Sequence, residues 1–507
     1  MSGSLLRHWP TAAFRSTAIP RWLPIAIAAA CAAGLPLVLF YRLILFHFYE
    51  RGGFLLDTGL LASLMWHCPI WQPLPASLGG ASFFATHVAP ILSLVSVISD
   101  VLPLSLPQTF AGFTGVSHAL LAAAAFWLLV AGYGMRRGWR LALAALASAA
   151  FAFNGLALSI VRMPHFEMFG AACLILFFCA LVLRRRGLAI VWFLLALATR
   201  EDVGLHAFGF LTVWIAYDWW QGVAWCRIRL LAAFAAVALA YSVVVLLLQH
   251  WAFPASSSFG RIYLGSPPFA HLSAHLVAVR LAAWMTTFHT AILLPAVATA
   301  WWAARIRDPS PLLGYVACLP WAVLHLLAIS GLAGLMAGYY AYPFLVAMVW
   351  PWVIGVDRGY RHAPVWRGAW PAGALAALVA MSVLVPEHEW NPGRIELPQA
   401  FLQAPSAEQQ RRTDRAIAAI AAARPELGQL MVDESVAGLA PRLFAHAEIA
   451  EWAQAPPDTV VYLEEGFDAA RERAIAGLPD HAAIPGTMLR IRTNRAVQVL
   501  RRFDILP

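Results

Sequence analysis

The sequence predicts an all-α polytopic membrane protein with about eleven transmembrane helices, followed by a small α/β domain outside the membrane. This architecture is predicted by three observations: the composition, the spacing of apolar segments and the placement of arginines. The chain of 507 residues is 61% hydrophobic and only 12% charged, whereas a soluble domain carries about 25% charged residues. Its mean hydropathy of +0.69 is typical of a chain that crosses a membrane repeatedly.

The apolar segments supply the predicted spans. A helix needs about 20 apolar residues to cross a bilayer. The candidate segments are 23–46, 110–134, 139–160, 167–184, 187–200, 203–219, 229–251, 280–303, 311–332, 339–356 and 368–386.

Arginine clusters predict the orientation of these spans. Short arginine-rich loops face the cytoplasm, and with eleven spans all six clusters fall on that side, together with the N-terminus. The same count makes residues 50–109 one large outer loop, with an interfacial helix near 88–100. The clusters are Arg7/Arg15/Arg21, Arg136/Arg137/Arg140, Arg184/Arg185/Arg186, Arg227/Arg229, Arg305/Arg307 and Arg358/Arg361/Arg367.

Residues 387–507 differ from the rest in being richer in charged and polar side chains. Their pattern predicts an extracytoplasmic α/β domain, separated by a linker at 386–398 from a transmembrane domain that spans 1–386. The predicted elements are helices at 407–424 and 467–477 and strands at 430–432, 460–463 and 487–492.

Several function classes lack support in the sequence. The formal charge of +9 comes from arginines in short loops, and no stripe of basic and aromatic residues indicates a nucleic-acid partner. There is no P-loop, GxSxG, HExxH or Rossmann glycine pattern, so ATP hydrolysis, serine hydrolysis and zinc proteolysis are not indicated.

Most acidic residues of the predicted transmembrane domain fall on its outer side. Asp218, Asp308 and Asp357 lie at cytoplasmic helix ends beside arginines, where we expect them to be solvated. The remaining six are Glu50, Asp57, Asp100, Glu167, Glu201 and Asp202. A cavity at that face could supply a general base, a metal site or the partner of a cationic group.

The triplet Arg200-Glu201-Asp202 interrupts the apolar stretch 188–216. Each ionisable group at membrane depth costs about 2.5–3.5 kcal/mol, so such groups mark functional sites or paired interiors. One interpretation is an internal ion pair that joins two half-helices. The other is that the planar fork of Arg200 binds a phosphate or carboxylate while an acid positions it.

Asp57 lies in an amphipathic stretch directly after the first span. It is either a helix cap or surface carboxylate, or a base that deprotonates an incoming hydroxyl. Other candidates also have a structural alternative. As candidates for binding substrate or phosphate, they are His87, Arg162, His165, Glu167, Tyr339 and Tyr340. The alternatives are that His87 begins the interfacial helix, that Arg162 reaches to headgroups, and that His165 and Glu167 cap the fourth span. Tyr339 and Tyr340 form either an aromatic belt or a sugar- or lipid-contacting rim.

The order of these motifs resembles a known family. Asp57 follows the first span, His87 begins a His-x-x-Pro-Ile-Leu segment, and Arg200-Glu201-Asp202 matches a [KR]-E-D-x-x-L triplet. Together with residues 434–443, they resemble the bacterial "domain of unknown function 2079" family of membrane proteins, over about 45–500. The sequence departs from that family by an arginine where lysine is commoner, and by Thr58-Gly59 where Leu-Gly is frequent.

That family is similar to the GT-C superfold of glycosyltransferases that use polyprenyl-phosphate-linked sugars. The resemblance implies a multi-pass protein of the bacterial cytoplasmic membrane, whose partners are a polyprenyl-phosphate sugar and membrane lipids. It implies that Asp57 is catalytic, that Arg200 binds the donor phosphate, and that Glu201 or Asp202 supports it or binds a divalent metal. No other cofactor is implied.

Two further function classes stay open from the residues. A transporter or flippase of lipid-linked or small polar substrates could use a charged triplet between half-helices. An assembly protein could use the C-terminal domain to recruit a partner, although this leaves the carboxylates of the membrane domain unexplained.

Overall fold

A computed structural model gives the arrangement of most of the chain. It describes residues 20, 22–51, 61, 83–102, 104–161, 165–254, 259–288, 290–359, 370–383, 402–433, 436, 438–440, 457–463, 472–473, 475–478, 480–495 and 497–506.

Within these residues the fold is predominantly helical, with one small sheet. The helices are α1 Leu23–Phe46, α2 Pro90–Val101, α3 Leu106–Trp127, α4 Gly138–Phe151, α5 Gly155–Val161, α6 Glu167–Val182, α7 Arg186–Leu197, α8 Val203–Trp220, α9 Trp225–Ala252, α10 Ala274–Ala283, α11 Thr290–Ile306, α12 Leu313–Leu326, α13 Gly331–Gly334, α14 Pro343–Asp357, α15 Trp370–Val383, α16 Ala407–Ala423 and α17 Val497–Arg502. Short π-helical turns lie at His47–Arg51, Leu128–Gly132, Gly260–Leu264 and Trp284–Phe288, and 3-10 turns at Phe83–Ala85, Ser310–Leu312 and Gly338–Ala341.

Every predicted span contains a helix, but the helices differ in length. Among the described residues, three are long and apolar enough to cross a bilayer: Leu23–Glu50, Leu106–Gly132 and Trp225–Ala252. The number rises to six if each of three bent helix pairs counts as one span. The helical, membrane-type architecture therefore agrees with the sequence, while the count of eleven spans stays a prediction.

Helix α6 lies at the centre of the helical bundle. It packs against α3, α7 and α14, and apolar side chains around its whole circumference are buried. A helix that is hydrophobic on all sides is typical of the interior of a large or membrane-embedded fold. This position brings Glu167, at the first turn of α6, into the protein interior.

The predicted interfacial helix is α2, which begins at Pro90. Proline is favoured there because the first turn of a helix has no internal partner for a backbone N–H. The next helix, α3, begins with a capping box in which the Ser105 hydroxyl and the Gln108 side chain satisfy each other's backbone N–H groups. The capping box at Ser105 thus fixes where α3 begins.

A four-stranded sheet forms in the C-terminal part. The strands are β1 Leu430–Val432, β2 Thr459–Leu463, β3 Asp480–Ala483 and β4 Leu489–Thr493, in the order β1-β2-β4-β3. Strand β1 pairs parallel to β2, whereas β4 pairs antiparallel to both β2 and β3. The sequence predicted α16, β1, β2 and β4 but missed β3. The predicted linker at 386–398 and most of the predicted helix at 467–477 lie outside the described residues.

Helix α16 is attached to the end of the first helix. The Tyr49 hydroxyl donates to Asp414 at 3.1 Å, and the Gln409 amide donates to Glu50 at 2.6 Å. The Gln108 side chain, at the start of α3, donates to Gln410 at 3.0 Å. We call this set of contacts the α16 clasp. Burial raises the pKa of Asp414, so its carboxyl group is stabilised in the protonated form to a higher pH than usual.

The prediction that Asp218 is solvated is wrong. Its side chain is fully buried between two arginines, with the Arg358 Nη2 donating at 2.5 Å and the Arg227 Nε forming an ion pair at 2.9 Å. Arg227 also donates to Asp357 at 2.6 Å. The sequence places the acid beside arginines but does not show that α8, α9 and α14 close around it.

Replacing Asp218 by asparagine should destabilise the bundle. The change leaves two guanidinium groups facing a neutral amide, and removal of one partner from a buried ion pair costs about 3–5 kcal/mol. Thermal unfolding in detergent measures the loss. The matched control is Glu408→Gln, which breaks exposed pairs with Arg411 and Arg412 and should change little. Equal unfolding temperatures for both variants would contradict the structural role of Asp218.

Candidate functional site

The charged triplet forms the junction between two helices. Helix α7 ends at Leu197 and α8 begins at Val203, so Arg200, Glu201 and Asp202 occupy the connection. All three side chains are buried, with 5–7% of their surface exposed. Buried charges require partners, and the partners come from distant parts of the chain.

Arg200 is the centre of the cluster. Its Nη1 donates to Glu167 Oε1 at 2.5 Å, and its Nε lies 3.2 Å from Asp202 Oδ1 and 3.5 Å from Glu201 Oε1. Glu167 is fully buried at the first turn of α6, where the helix dipole favours a negative charge. Three carboxyl groups therefore surround one guanidinium.

His165 and Tyr339 position the side chain of Glu167. The His165 Nδ1 makes a short contact with Glu167 Oε2. Its ring stacks on Tyr339, with 4.2 Å between the ring centroids. These two predicted site residues thus fix the orientation of the acid that holds Arg200, and neither is among the residues that line the neighbouring cavity.

Glu201 joins three elements. Its carboxylate accepts from the backbone N–H of Val88 at 2.9 Å and contacts His87 Nδ1 at 2.8 Å, while its carbonyl accepts from Ser242 of α9 at 2.5 Å. Burial, and the positive charge of Arg200, lower the pKa of His87. A neutral imidazole can donate only from the protonated nitrogen, so the bond to Glu201 places that proton on Nδ1.

Asp202 differs from the other two acids in its hydrogen bonding. Within the described residues neither of its carboxylate oxygens accepts a hydrogen bond, although His206 Nε2 lies 3.9 Å from Oδ2. The side chain is buried and lines a cavity. Because a buried carboxylate without hydrogen bonds is costly, Asp202 is suited to bind a polar group that enters the cavity.

The cavity has a volume of about 500 Å³ and extends from the triplet between α8, α9, α12 and the turn at Gly260–Leu264. Its charged end is formed by His87, Arg200, Glu201, Asp202 and His206. Its other walls are mostly apolar and reach the surface, where Leu205, Leu246, Phe259 and Val316 are exposed. It thus combines one charged end with a long apolar wall open to the surroundings.

Aromatic residues form a rigid part of the wall. The Trp321 ring N–H donates to the carbonyl of Tyr340 at 2.8 Å. The Tyr263 hydroxyl lies 3.3 Å from the ring nitrogen Nε2 of His325, which is fully buried. Aromatic rings with satisfied polar atoms offer flat apolar surfaces, so this wall can contact the faces of a ring-shaped ligand.

Most predicted site residues lie together. His87, His165, Glu167, Arg200, Glu201, Asp202 and Tyr339 form one connected group, and Tyr340 lies in the cavity wall. Asp57 and Arg162 lie outside the described residues, so their place in this site stays a prediction. Sequence reasoning missed His206, Tyr263 and Trp321. Only His206 carried a signal, because it lies one helical turn after Asp202.

A metal site was one option for these acids. In the part of the chain that the structure describes, no three His, Cys, Asp or Glu side chains are arranged to hold a metal ion.

Comparison with known proteins identifies the fold. No family model matches the chain, and no curated protein matches it. The structure is similar to ArnT from Cupriavidus metallidurans bound to undecaprenyl phosphate, with a TM-score of 0.50 and 15% identity over 94% of this chain and 98% of that one. It is also similar to the apo oligosaccharyltransferase of Archaeoglobus fulgidus, with a TM-score of 0.45 and 12% identity over 91% and 69%. The likeness to ArnT, together with the helical architecture, shows that the chain shares the overall fold of that protein.

Proposed function

We propose that the protein is a membrane glycosyltransferase that moves a sugar from a polyprenyl-phosphate-linked donor to an acceptor at the outer face of the bacterial cytoplasmic membrane. One observation carries the proposal. A buried cluster of three acids and one arginine opens into a partly apolar cavity of about 500 Å³, within a fold similar to that of a protein bound to undecaprenyl phosphate.

The chemistry of such a transfer matches the two ends of the cavity. The reaction needs a carboxylate near the acceptor hydroxyl and a cation near the leaving phosphate. Arg200 provides the cation at the charged end of the cavity, where its guanidinium also contacts Asp202 and Glu201. The exposed apolar wall provides a surface for the lipid chain.

The site residues take distinct roles in this proposal. Asp57 is the base, Asp202 binds a substrate hydroxyl, and Arg200 stabilises the leaving phosphate with Arg162 near the headgroup. Glu167, Glu201, His87 and His165 hold Arg200 and the junction in place, as their contacts support. Tyr340 contacts the substrate from the wall, whereas Tyr339 acts through His165.

Three broader assignments belong to the same proposal. The first is that the chain is a member of the "domain of unknown function 2079" family. The second is that residues 1–386 form the transmembrane domain, with an outer loop at 50–109. The third is that residues 387–507 form an extracytoplasmic domain. A divalent metal as an additional participant would take Glu201 or Asp202 as a ligand, together with oxygens of the substrate phosphate.

A transporter or flippase is the second candidate. Broken helices with buried ionisable residues are common in transporters, and the α7–α8 junction has that form. Bent helix pairs, including one with a break of 76° between Ala274–Thr286 and Ala291–Ile306, also favour it. Transport gives no reason, however, for the C-terminal sheet.

A reconstituted system separates the two functions. The full-length protein in liposomes receives undecaprenyl phosphate hexose labelled in the sugar, with a cell-envelope extract as the source of acceptors. Transfer should yield a labelled product that no longer partitions with the lipid, together with an equal amount of undecaprenyl phosphate. Movement of the intact labelled lipid between leaflets, without product, would instead establish the flippase and reject the transferase.

A further inference from the structure

A second cavity lies among helices that do not form the first one. It has a volume of about 560 Å³ and is bounded by α11, α14 and α15. Its volume lies within the range of about 300–1,000 Å³ that is typical of small-molecule sites. No residue of its lining belongs to the charged cavity, so the proposed glycosyl transfer does not account for it.

The lining of this cavity is almost wholly apolar and rich in tryptophan. Trp301 and Trp370 are exposed, with 63% and 62% of their surface accessible, while Trp302 and Trp352 are more buried. The Trp352 ring N–H donates to the carbonyl of Pro371 at 2.9 Å. Exposed tryptophans beside an apolar cavity are typical of the membrane–water interface.

Among the described residues of the lining, Arg305 is the one that carries a charge. It lies in the last turn of α11 and is exposed, with its guanidinium 5.2 Å above the ring of Trp301. Among the described residues no carboxylate forms an ion pair with it, whereas Arg227 and Arg358 both bind Asp218. Within the part of the chain that the structure describes, the Arg305 guanidinium is therefore available to an anion.

These arginines lie at one end of the bundle. Tyr217, next to Asp218 at the end of α8, donates from its hydroxyl to Asp308 at 2.5 Å, and Asp308 follows α11 directly. This end of the bundle carries the arginine clusters, so the positive-inside rule places it at the cytoplasmic leaflet. Anionic lipids of that leaflet attract basic residues.

We propose that this cavity binds an anionic glycerophospholipid of the membrane, with one acyl chain between α11, α14 and α15 and the phosphate on Arg305. The apolar walls suit a hydrocarbon chain, and the arginine suits a phosphate because its planar fork can donate two parallel hydrogen bonds. The site requires only that the helices lie in a bilayer. It is thus independent of the transferase proposal.

Native mass spectrometry of the full-length protein tests the site. Protein released from nanodiscs with equal phosphatidylglycerol and phosphatidylcholine should retain phosphatidylglycerol preferentially. Arg305→Ala should reduce that retention about tenfold, because the loss of a hydrogen bond to a charged group weakens binding by about that factor. Arg307→Ala is the matched control, since Arg307 is exposed two residues along the chain but does not line the cavity; it should retain the lipid.

A second variant tests the acyl-chain position. Ala377 is exposed and lines the cavity, so Ala377→Trp fills the space without removing a charge and should also displace the lipid. Retention by Ala377→Trp would show a headgroup contact without an inserted chain, which overturns the proposal. Equal retention of the two lipids, or unchanged retention in Arg305→Ala, overturns it as well. Thermal unfolding of each variant confirms that the comparison is between folded proteins.

Discussion

Replacement of Arg200 by alanine is expected to abolish activity and to lower the free energy of unfolding by about 3–5 kcal/mol. Arg200 is the cation that the buried acids share, since it contacts Glu167, Glu201 and Asp202. Without it, the repulsion among these carboxyl groups is no longer compensated, and each group must bind a proton or draw in water. Thermal unfolding and the transfer assay measure the two effects.

A double-mutant cycle separates the structural role of Arg200 from its catalytic one. Glu167→Gln removes the acid that accepts from Nη1 at 2.5 Å, so it should restore part of the stability of Arg200→Ala. It should not restore activity, because the phosphate would still lack its cation. Stability losses that simply add would show that the two residues do not interact. An active Arg200→Ala variant would reject the phosphate role.

Asp57→Asn is expected to reduce transfer by a factor of about 10²–10⁴, which is the contribution of a positioned general base. Asparagine keeps the shape of the side chain but cannot accept the proton of the acceptor hydroxyl. The unfolding temperature should stay unchanged. The measurement is the initial rate of undecaprenyl phosphate release at saturating donor.

Asp100 provides the matched control for this experiment. It is an exposed carboxylate of α2, in the same predicted outer loop, so Asp100→Asn changes the charge of that face by the same amount. We expect Asp100→Asn to keep the wild-type rate. A full rate in Asp57→Asn would remove Asp57 as the base and make Asp202 the next candidate.

The sequence predicted the parts of this protein that depend on local pattern. Apolar length placed the helices, and the triplet was recognised because ionisable residues in an apolar stretch are costly. The order of motifs and the arginine loops grouped Glu167, Glu201 and Asp202 on one side. These predictions need composition and order along the chain, but no contacts between distant segments.

What the sequence did not predict depends on contacts between distant segments. Arg200 and Glu167 are 33 residues apart, and no periodicity indicates that one would hold the other. The burial of Asp218 follows from the closure of α8, α9 and α14 around it. Tyr339 was expected in an aromatic belt or in a sugar- or lipid-contacting rim, and the sequence did not indicate that its half-buried ring stacks on His165.

The α16 clasp joins residues that are synthesised early with residues that are synthesised late. The residues that contact Glu50 and Tyr49 are made 359 and 365 positions later, after every described helix of the bundle has been synthesised. The end of the first helix, at Tyr49 and Glu50, therefore gains these contacts last. A nascent or truncated chain that ends before α16 would keep the packing of α1 against α3 but would lack the clasp.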